Sequence, residues 1–290
     1  MNFISDAAID RLRAIEDRPD FNGSRYELLE EIGRGGMGLV FRGRDRELDR
    51  EVAIKVTAWS TEADAERLRG EAQTLARLEH PGIVPVHDVG RLADGRVFTV
   101  MMLVRGERLD ARAATLPLAD RLRLFDRICD TVAFAHARGL IHRDLKPANI
   151  MLGEHGQVLV LDWGLARADR DAGSGTEGYM APEQRDGRPD ARSDVYALGA
   201  ILRDLSAGTG AAARPLQSIV ARAMQPDPAA RYQTPADLAA DVRRFVDGAA
   251  VDAHRESALE RATRLARVYR APIALVLAYL AMRGLLLLWS

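Results

Sequence analysis

The sequence predicts an α+β fold in two lobes, a small β-rich lobe followed by a larger helical one. Three observations carry that reading. Short strand-like runs separated by Gly, Pro and Asp turns fill the first hundred residues, with one helix among them. Helical spacing of apolar residues dominates beyond Pro117. Two short apolar runs, 150–152 and 158–161, interrupt the helical half around a glycine turn.

In chain order, residues 1–20 read as a short amphipathic helix ending before Pro19. Tyr26–Ile32, Leu39–Arg42 and Val52–Thr57 read as strands, with a glycine cluster between the first two. Leu68, Ala72, Leu75, Ala76 and Leu78 recur at helical spacing over 61–79, and His80-Pro81-Gly82 breaks that helix. Ile83–Val89 and Val97–Leu103 are strand-like and flank a turn at Ala93-Asp94-Gly95. Further helices are expected over 118–138, 193–205, 215–224 and 235–247, with an Ala/Gly loop near 207–213.

The domain plan is therefore an N-terminal helical extension over 1–25 and a two-lobed domain over 26–247, split into 26–102 and 103–247. A basic linker is expected over 248–270, then an apolar segment over 271–289. With 290 residues the chain is long enough for a sizeable core. A net charge of −1 gives no field that calls for nucleic acid. The single cysteine, Cys129, lies among Leu122, Phe125, Ile128 and Val132 and reads as a core residue in a reducing compartment. The first residues lack the apolar run of a signal peptide.

All but two of the 41 basic residues are arginine. The exceptions, Lys55 and Lys146, mark positions where a compact ammonium serves and a planar guanidinium does not. Gly33, Gly35, Gly36 and Gly38 lie between two strand patterns, where backbone N–H groups can approach phosphate oxygens. A plain hairpin would show the same glycines, but the absence of a following helix argues against a dinucleotide-binding turn. Lys55 ends the run Val52-Ala53-Ile54-Lys55, so its ammonium needs phosphate or carboxylate partners. Glu71 on the next helix is the candidate carboxylate and Glu66 the second choice; a solvated helix face is the plainer alternative for both. His142-Arg143-Asp144-Leu145-Lys146-Pro147-Ala148-Asn149 places an acid, a lysine and an amide in one loop after a long helix. Asp144 suits a general base, Lys146 a transferring phosphoryl group, and Asn149 with Asp162 a hard cation such as Mg²⁺.

In order along the chain, GRGGMGLV, VAIK, GEAQ, HPGIVPVHDVG, HRDLKPAN, LDWG, GTEGYMAPEQ, SDVYALG and PDPAARY closely resemble the protein-kinase signature set, and most of all the bacterial serine/threonine kinases of the eukaryotic type. The resemblance runs from Tyr26 to Val246. It implies the two-lobed kinase fold, ATP and Mg²⁺ as cofactors, and a protein substrate whose identity the sequence does not disclose. It further implies that Gly33, Gly35 and Gly38 cover the phosphates, with Gly36 in the same loop. Val40 and Ala53 would roof the adenine, Met101 would be the gatekeeper, and Met102–Val104 the hinge; Ile32 and Met151 complete the nucleotide-binding set. Lys55 would hold the α- and β-phosphates and pair with Glu71. Asp144 would be the base, with Lys146 beside the γ-phosphate and Asn149 and Asp162 on the metal. Thr176 would brace the catalytic loop, Glu183 would pair with Arg231, and Asp194 would anchor the loop from below. The lysine of HRDLKPAN resembles the Ser/Thr branch. A pseudokinase scaffold that binds nucleotide without catalysis is the alternative, against which every catalytic position is filled; a small-molecule kinase would not carry GTEGYMAPEQ and SDVYALG.

The chain departs from the family pattern in places. Trp163 stands where Phe is usual, which changes packing and not the metal ligand. Met102 replaces an acidic hinge residue. The stretch from Asp194 to Arg231 is short, so the helix that usually follows is missing or reduced, and substrate docking is affected. In the short segment from Leu165 to Met180, Ser174 is the expected autophosphorylation site, with Arg143 as the partner for its phosphate; a loop ordered without phosphorylation, its negative charge supplied by Asp169, Asp171 and Glu177, is the alternative. At the C-terminus, Arg261, Arg264, Arg267 and Arg270 precede Pro272–Trp289. This reads as a membrane anchor at the inner face of the cell membrane with the kinase domain in the cytoplasm, as the positive-inside rule would place it. The balance is narrow: nine Leu, Ile and Val residues contribute about −3 to −5 kcal/mol, and Arg283 costs about +2.5 to +3.5 kcal/mol. The alternative is an apolar helix packed on the helical lobe or on a partner.

Overall fold

The computed structural model describes residues 19–35, 38–57, 62–163, 176–208 and 214–268, together with 274–276, 278–280 and 282. The expected helix over 1–20 and the segment carrying Ser174 lie outside the described residues, as does most of 271–289.

The first lobe is a five-stranded antiparallel sheet in the order β1-β2-β3-β5-β4. Its strands are β1 (Tyr26–Gly35), β2 (Gly38–Asp45), β3 (Arg50–Val56), β4 (Val86–Arg91) and β5 (Val97–Met102). β1 runs three residues past the expected end at Ile32. Its glycines carry no strand propensity, yet β2 pairs them, Gly33 with Val40 and Gly35 with Gly38. Gly38 has φ +135°, and a Cβ there would lie 2.0 Å from the Val56 carbonyl oxygen. One face of the sheet packs Phe41, Val52, Ile54, Val56, Phe98 and Val100 into a core of its own. Helix α1 (Glu62–Ala76) lays Leu68, Ala72 and Leu75 inward, at the i, i+4, i+7 spacing of one helix face. β4 begins at Val86 and not at Ile83; Ile83 instead forms an isolated parallel bridge to Val160 in the second lobe.

The second lobe opens with two elements too short to leave a periodic signal, β6 (Gly106–Arg108) and α2 (Leu109–Arg112). Helix α3 (Leu118–His136) buries Leu122, Phe125, Ile128, Cys129, Val132 and Ala135. Full burial of each larger side chain contributes about 1.5–3 kcal/mol. Cys129 is completely buried and burial pushes its thiol well above the ordinary range, as suits a core thiol. β7 (Ile150–Gly153) and β8 (Val158–Val160) join β6 in a three-stranded antiparallel sheet ordered β6-β7-β8. The helices α4 (Pro182–Arg185), α5 (Ala191–Leu205), α6 (Arg214–Ala223) and α7 (Pro235–Val246) complete the lobe. Asp190 and Ser193 close a capping box, which starts α5 at Ala191. α5 and α6 approach so closely that a Cβ on Gly199 would meet the Ala223 Cβ at 2.7 Å.

Residues 248–268 of the stretch expected as a linker hold defined structure. Asp241 of α7 is fully buried and accepts from the Asp252 and Ala253 N–H groups at 2.7 and 3.0 Å and from the Tyr232 hydroxyl at 2.6 Å. Val251 is buried, His254 Nδ1 lies 3.0 Å from the Ser218 hydroxyl, and α8 (Ala258–Val268) follows. Among the described residues no helix is long and apolar enough to cross a membrane.

Candidate active site

Between the lobes lies a cleft of about 470 Å³. Its upper wall carries Gly33, Gly35 and Gly38 from the β1–β2 hairpin; its lower wall carries Asp144, Lys146 and Asn149.

Lys55 reaches the cleft from β3, an apolar strand that buries its stem and leaves the residue only 5% exposed. Its ammonium is 2.5 Å from Asp162 Oδ1. Burial pushes the Asp162 carboxyl up, but the Lys55 ammonium outweighs it and holds the group below the usual carboxylate range. Glu71, the expected partner of Lys55, sits on α1, but its side chain lies outside the described residues.

The catalytic loop is built from below. Asp194, near the start of α5, is 1% exposed. Its carboxylate accepts from the backbone N–H groups of His142 and Arg143, both at 2.8 Å, and faces His136 Nε2 at 2.8 Å. Burial raises the Asp194 carboxyl and the hydrogen bond from His136 lowers it, with a net fall. His142 is fully buried; Nε2 donates to the Leu161 carbonyl at 2.8 Å, and Nδ1 accepts from the Asp144 N–H at 3.2 Å. Burial lowers its pKa, so the neutral ring that this pattern requires is the favoured form. Trp163 packs beside it, ring centres 4.9 Å apart, and donates its indole N–H to the Val160 carbonyl at 3.0 Å. A buried Trp therefore fills the usual Phe position with its polar atom satisfied.

Only three non-glycine residues among those described have positive φ: Asp49, Arg143 at +68° and Asp162 at +56°. Two of the three stand at the cleft: Arg143 precedes Asp144, and Asp162 is itself part of the lining. Strain of this kind costs about 1–3 kcal/mol and persists where the surroundings hold it.

Lys146 Nζ donates to Asp144 Oδ2 at 3.0 Å and to the Thr176 hydroxyl at 2.8 Å. Asn149 donates from its amide nitrogen to the Asp144 carbonyl at 2.8 Å. With the nitrogen committed there, the amide oxygen at the other end is the atom left for a cation. Asn149 and Asp162 thus offer one neutral and one anionic oxygen. That set fits a small hard cation, which takes one or two protein oxygens and completes its shell with phosphate and water. Among the described residues no group of three or more His, Cys, Asp or Glu could hold a metal by itself. Below the loop, Arg231 is 2% exposed and grips Glu183 through two N–H···O contacts at 2.7 and 2.8 Å.

The cleft therefore brings together Lys55, Asp144, Lys146, Asn149, Asp162 and Thr176 with Gly33, Gly35, Gly38 and Val40. Ile32, Ala53, Met101, Met102, Val104 and Met151 stand outside its lining. Ala53 and Met101 are register partners on β3 and β5, as are Val52 and Met102. Met151 lies on β7 opposite Arg108, and Ile32 is 47% exposed on β1. Gly36 lies outside the described residues.

Sequence reasoning did not single out Arg34 and Arg108, which line the cleft. It also passed over His136 and Gln184, whose side-chain amide donates to the Arg143 carbonyl. His136 closes α3 in an apolar run that signals only a helix end. Gln184 is set against Arg143 by the fold alone.

The family described as "Protein kinase domain" matches residues 26–249. The serine/threonine-protein kinase PknB of Mycolicibacterium smegmatis is 37% identical over 81% of this chain and 45% of that protein. Its counterpart in Mycobacterium tuberculosis is 36% identical over 79% of this chain and 44% of its own length. The DNA damage-responsive serine/threonine-protein kinase RqkA of Deinococcus radiodurans is 40% identical over 64% of this chain and 30% of its length. The chain thus spans less than half the length of these curated relatives. A match over most of the chain, with its signature residues converging on one cleft, means that this chain belongs to the protein kinase family.

Proposed function

We propose that the chain transfers the γ-phosphate of ATP, with Mg²⁺, to serine or threonine hydroxyls of protein substrates. The observation that carries this is the run of contacts from Thr176 through Lys146 to Asp144, beside Asn149 and the Lys55–Asp162 pair. Asp144 orients the incoming hydroxyl and takes its proton at Oδ1 or Oδ2. Lys146 spans Asp144 and Thr176, so its ammonium stands where negative charge grows on the transferring group. Lys55 would serve the nucleotide phosphates, and Asp162 and Asn149 would hold the metal, which would supply neutralisation of phosphate charge. Thr176 fixes the Lys146 ammonium in place. The test is phosphate transfer from labelled ATP to a serine- and threonine-containing protein. Label should appear on those hydroxyls and vanish in Lys55→Met and Asp144→Asn, both still folded by circular dichroism. Full activity in both variants overturns the reading.

Two finer readings rest on sequence. Ser174 is the autophosphorylation site that activates the enzyme; Ser174→Ala with unchanged activity and no loss of phosphate in intact mass would sink it. Residues 271–289 anchor the kinase domain at the cytoplasmic face of the membrane. In support, Leu275, Val276, Tyr279, Leu280 and Met282 are more than half exposed, as apolar side chains seeking lipid would be. Carbonate-resistant membrane pelleting is expected, and full solubility of the whole chain without detergent would refute it.

A further inference from the structure

Helix α8 is amphipathic in the opposite sense to a helix packed on a protein. Among its described side chains, Ala258 to Leu265, only Glu260 and Arg264 are half-buried, one turn apart on the side toward the lobe. Ala258, Leu259, Ala262 and Leu265 are exposed, Leu259 at 78% and Leu265 at 39%. At 3.6 residues per turn these four share an arc of about 120° opposite the charged pair. A surface helix ordinarily turns its apolar stripe to the core and its charges to water.

Polar contacts hold α8 in place. Glu256 meets Arg264 at 2.7 and 3.0 Å. Glu260 accepts from the Ser257 N–H and hydroxyl at 2.8 and 2.9 Å and lies 3.6 Å from His254 Nε2. The helix does not close on the lobe: a cavity of about 420 Å³ lies between Phe245 and Val251 on one side and Leu259, Glu260, Thr263 and Arg264 on the other. Neither leucine belongs to the core of the lobe.

Charge and reach say what covers this face. Residues 261–290 hold five arginines and no Asp or Glu. Arg261 is exposed beside the apolar arc and has no carboxylate partner among the described residues. The acids just before it are engaged, Glu256 by Arg264, Glu260 by Ser257 and Asp252 by Arg244; Asp247, exposed at the end of α7, lies eleven residues before α8. Val268 ends α8 three residues before the segment proposed above as an anchor, so the two are within about 11 Å of each other. A headgroup zone is about 5–8 Å deep on each side of a bilayer. The end of α8 therefore stands at the headgroups when that segment is in the membrane.

We propose that α8 lies along an anionic membrane surface, with Ala258, Leu259, Ala262 and Leu265 at the acyl boundary and Arg261 among the headgroups. This rests on the anchor reading for the nearness of the membrane and adds a second, charge-dependent contact. Because residues 251–254 dock on α6 and α7, the contact fixes which side of the second lobe faces the bilayer.

The test uses the full chain with Ala262→Cys carrying an environment-sensitive fluorophore; the native Cys129 is buried away from the label. The protein is reconstituted with vesicles of phosphatidylcholine, with or without phosphatidylglycerol. On the anionic vesicles the emission should shift to the blue and be quenched by lipids labelled just below the headgroup. The shift should be several-fold smaller on neutral vesicles and in high salt. The same label at Leu48, in the first lobe, should not respond. Leu259→Asp with Leu265→Asp should abolish the shift while phosphate transfer to a soluble peptide stays unchanged, and Arg261→Gln should reduce it on anionic vesicles alone. If the chain stays with the vesicles through carbonate washing while the label at 262 remains in water, this proposal falls and the anchor stands. If the chain stays with neither vesicle, both fall. An equal shift on both vesicles overturns the anionic assignment. A shift without vesicles that grows with protein concentration overturns the proposal by assigning the face to a second copy.

Discussion

Below the cleft, one buried carboxylate, Asp194, takes two backbone N–H groups and a histidine, and a second, Glu183, is clasped by a fully enclosed Arg231. Above it, β1 shows mostly exposed residues, including Leu29 and Ile32, and its ladder with β2 slips register between Leu28 and Glu30 and again between Glu31 and Gly33. The floor is fixed by charge-assisted hydrogen bonds in a low-dielectric interior, the roof by an interrupted strand pairing near solvent. A proton acceptor has to stand within a few tenths of an ångström of its hydroxyl, which calls for the first plan. A phosphate cover has to admit and release a nucleotide, and the second plan allows that.

The contrast can be broken at four places. Asp144→Asn should reduce kcat by about 10²–10⁴-fold with the melting temperature unchanged, since it alters the reacting group and not its supports. Arg231→Met should cost about 3–5 kcal/mol in a denaturant titration, because it leaves Glu183 charged and partly buried without its partner. Gly38→Ala should act mainly on the KM for ATP, because its Cβ would collide with the Val56 carbonyl oxygen and force β2 and β3 to shift. An unchanged KM there would mean that the roof does not depend on its left-handed glycine.

The smallest effect is in pH. His142 has its pKa lowered by burial below the ordinary 6.5, so the unfolded chain binds the proton more readily. Its contribution is present above pH 6.5 and lost as pH falls below that value. Asp162, Glu183 and Asp194 are held below their ordinary values, so their contribution is lost only at lower pH, below about 4. Melting temperature against pH should therefore fall in two steps, a shallow one and then a steep one. A flat curve down to pH 4 would remove the neutral-histidine account of the loop.

Much of this was legible in the sequence because the residues that meet in the cleft come in compact runs. Lys55 stands on an apolar strand, and Asp144, Lys146 and Asn149 share one turn, so residue type and spacing suffice to place them. The sheet and most helices followed from period alone. What was not legible depends on contacts distant in sequence. All three residues of β6 are exposed, so Gly106–Arg108 has no alternation to read, and Arg108 enters the cleft only because β7 pairs with it. The extension of β1 through Gly35 runs against glycine's own preference and is imposed by β2. The docking of 251–254 rests on Asp241, whose carboxylate serves backbone groups eleven and twelve residues away and gives no local pattern.

That last attachment has a mechanical side. The peptide past α7 is pinned through Asp241 to α7 and through His254 to Ser218 on α6. None of these residues lines the cleft. A pull on the chain beyond α8 would load this staple and the helices beneath it before any force reached Asp144. Strain entering from that end would therefore be taken up by α6 and α7, through docking residues that are not among those lining the cleft.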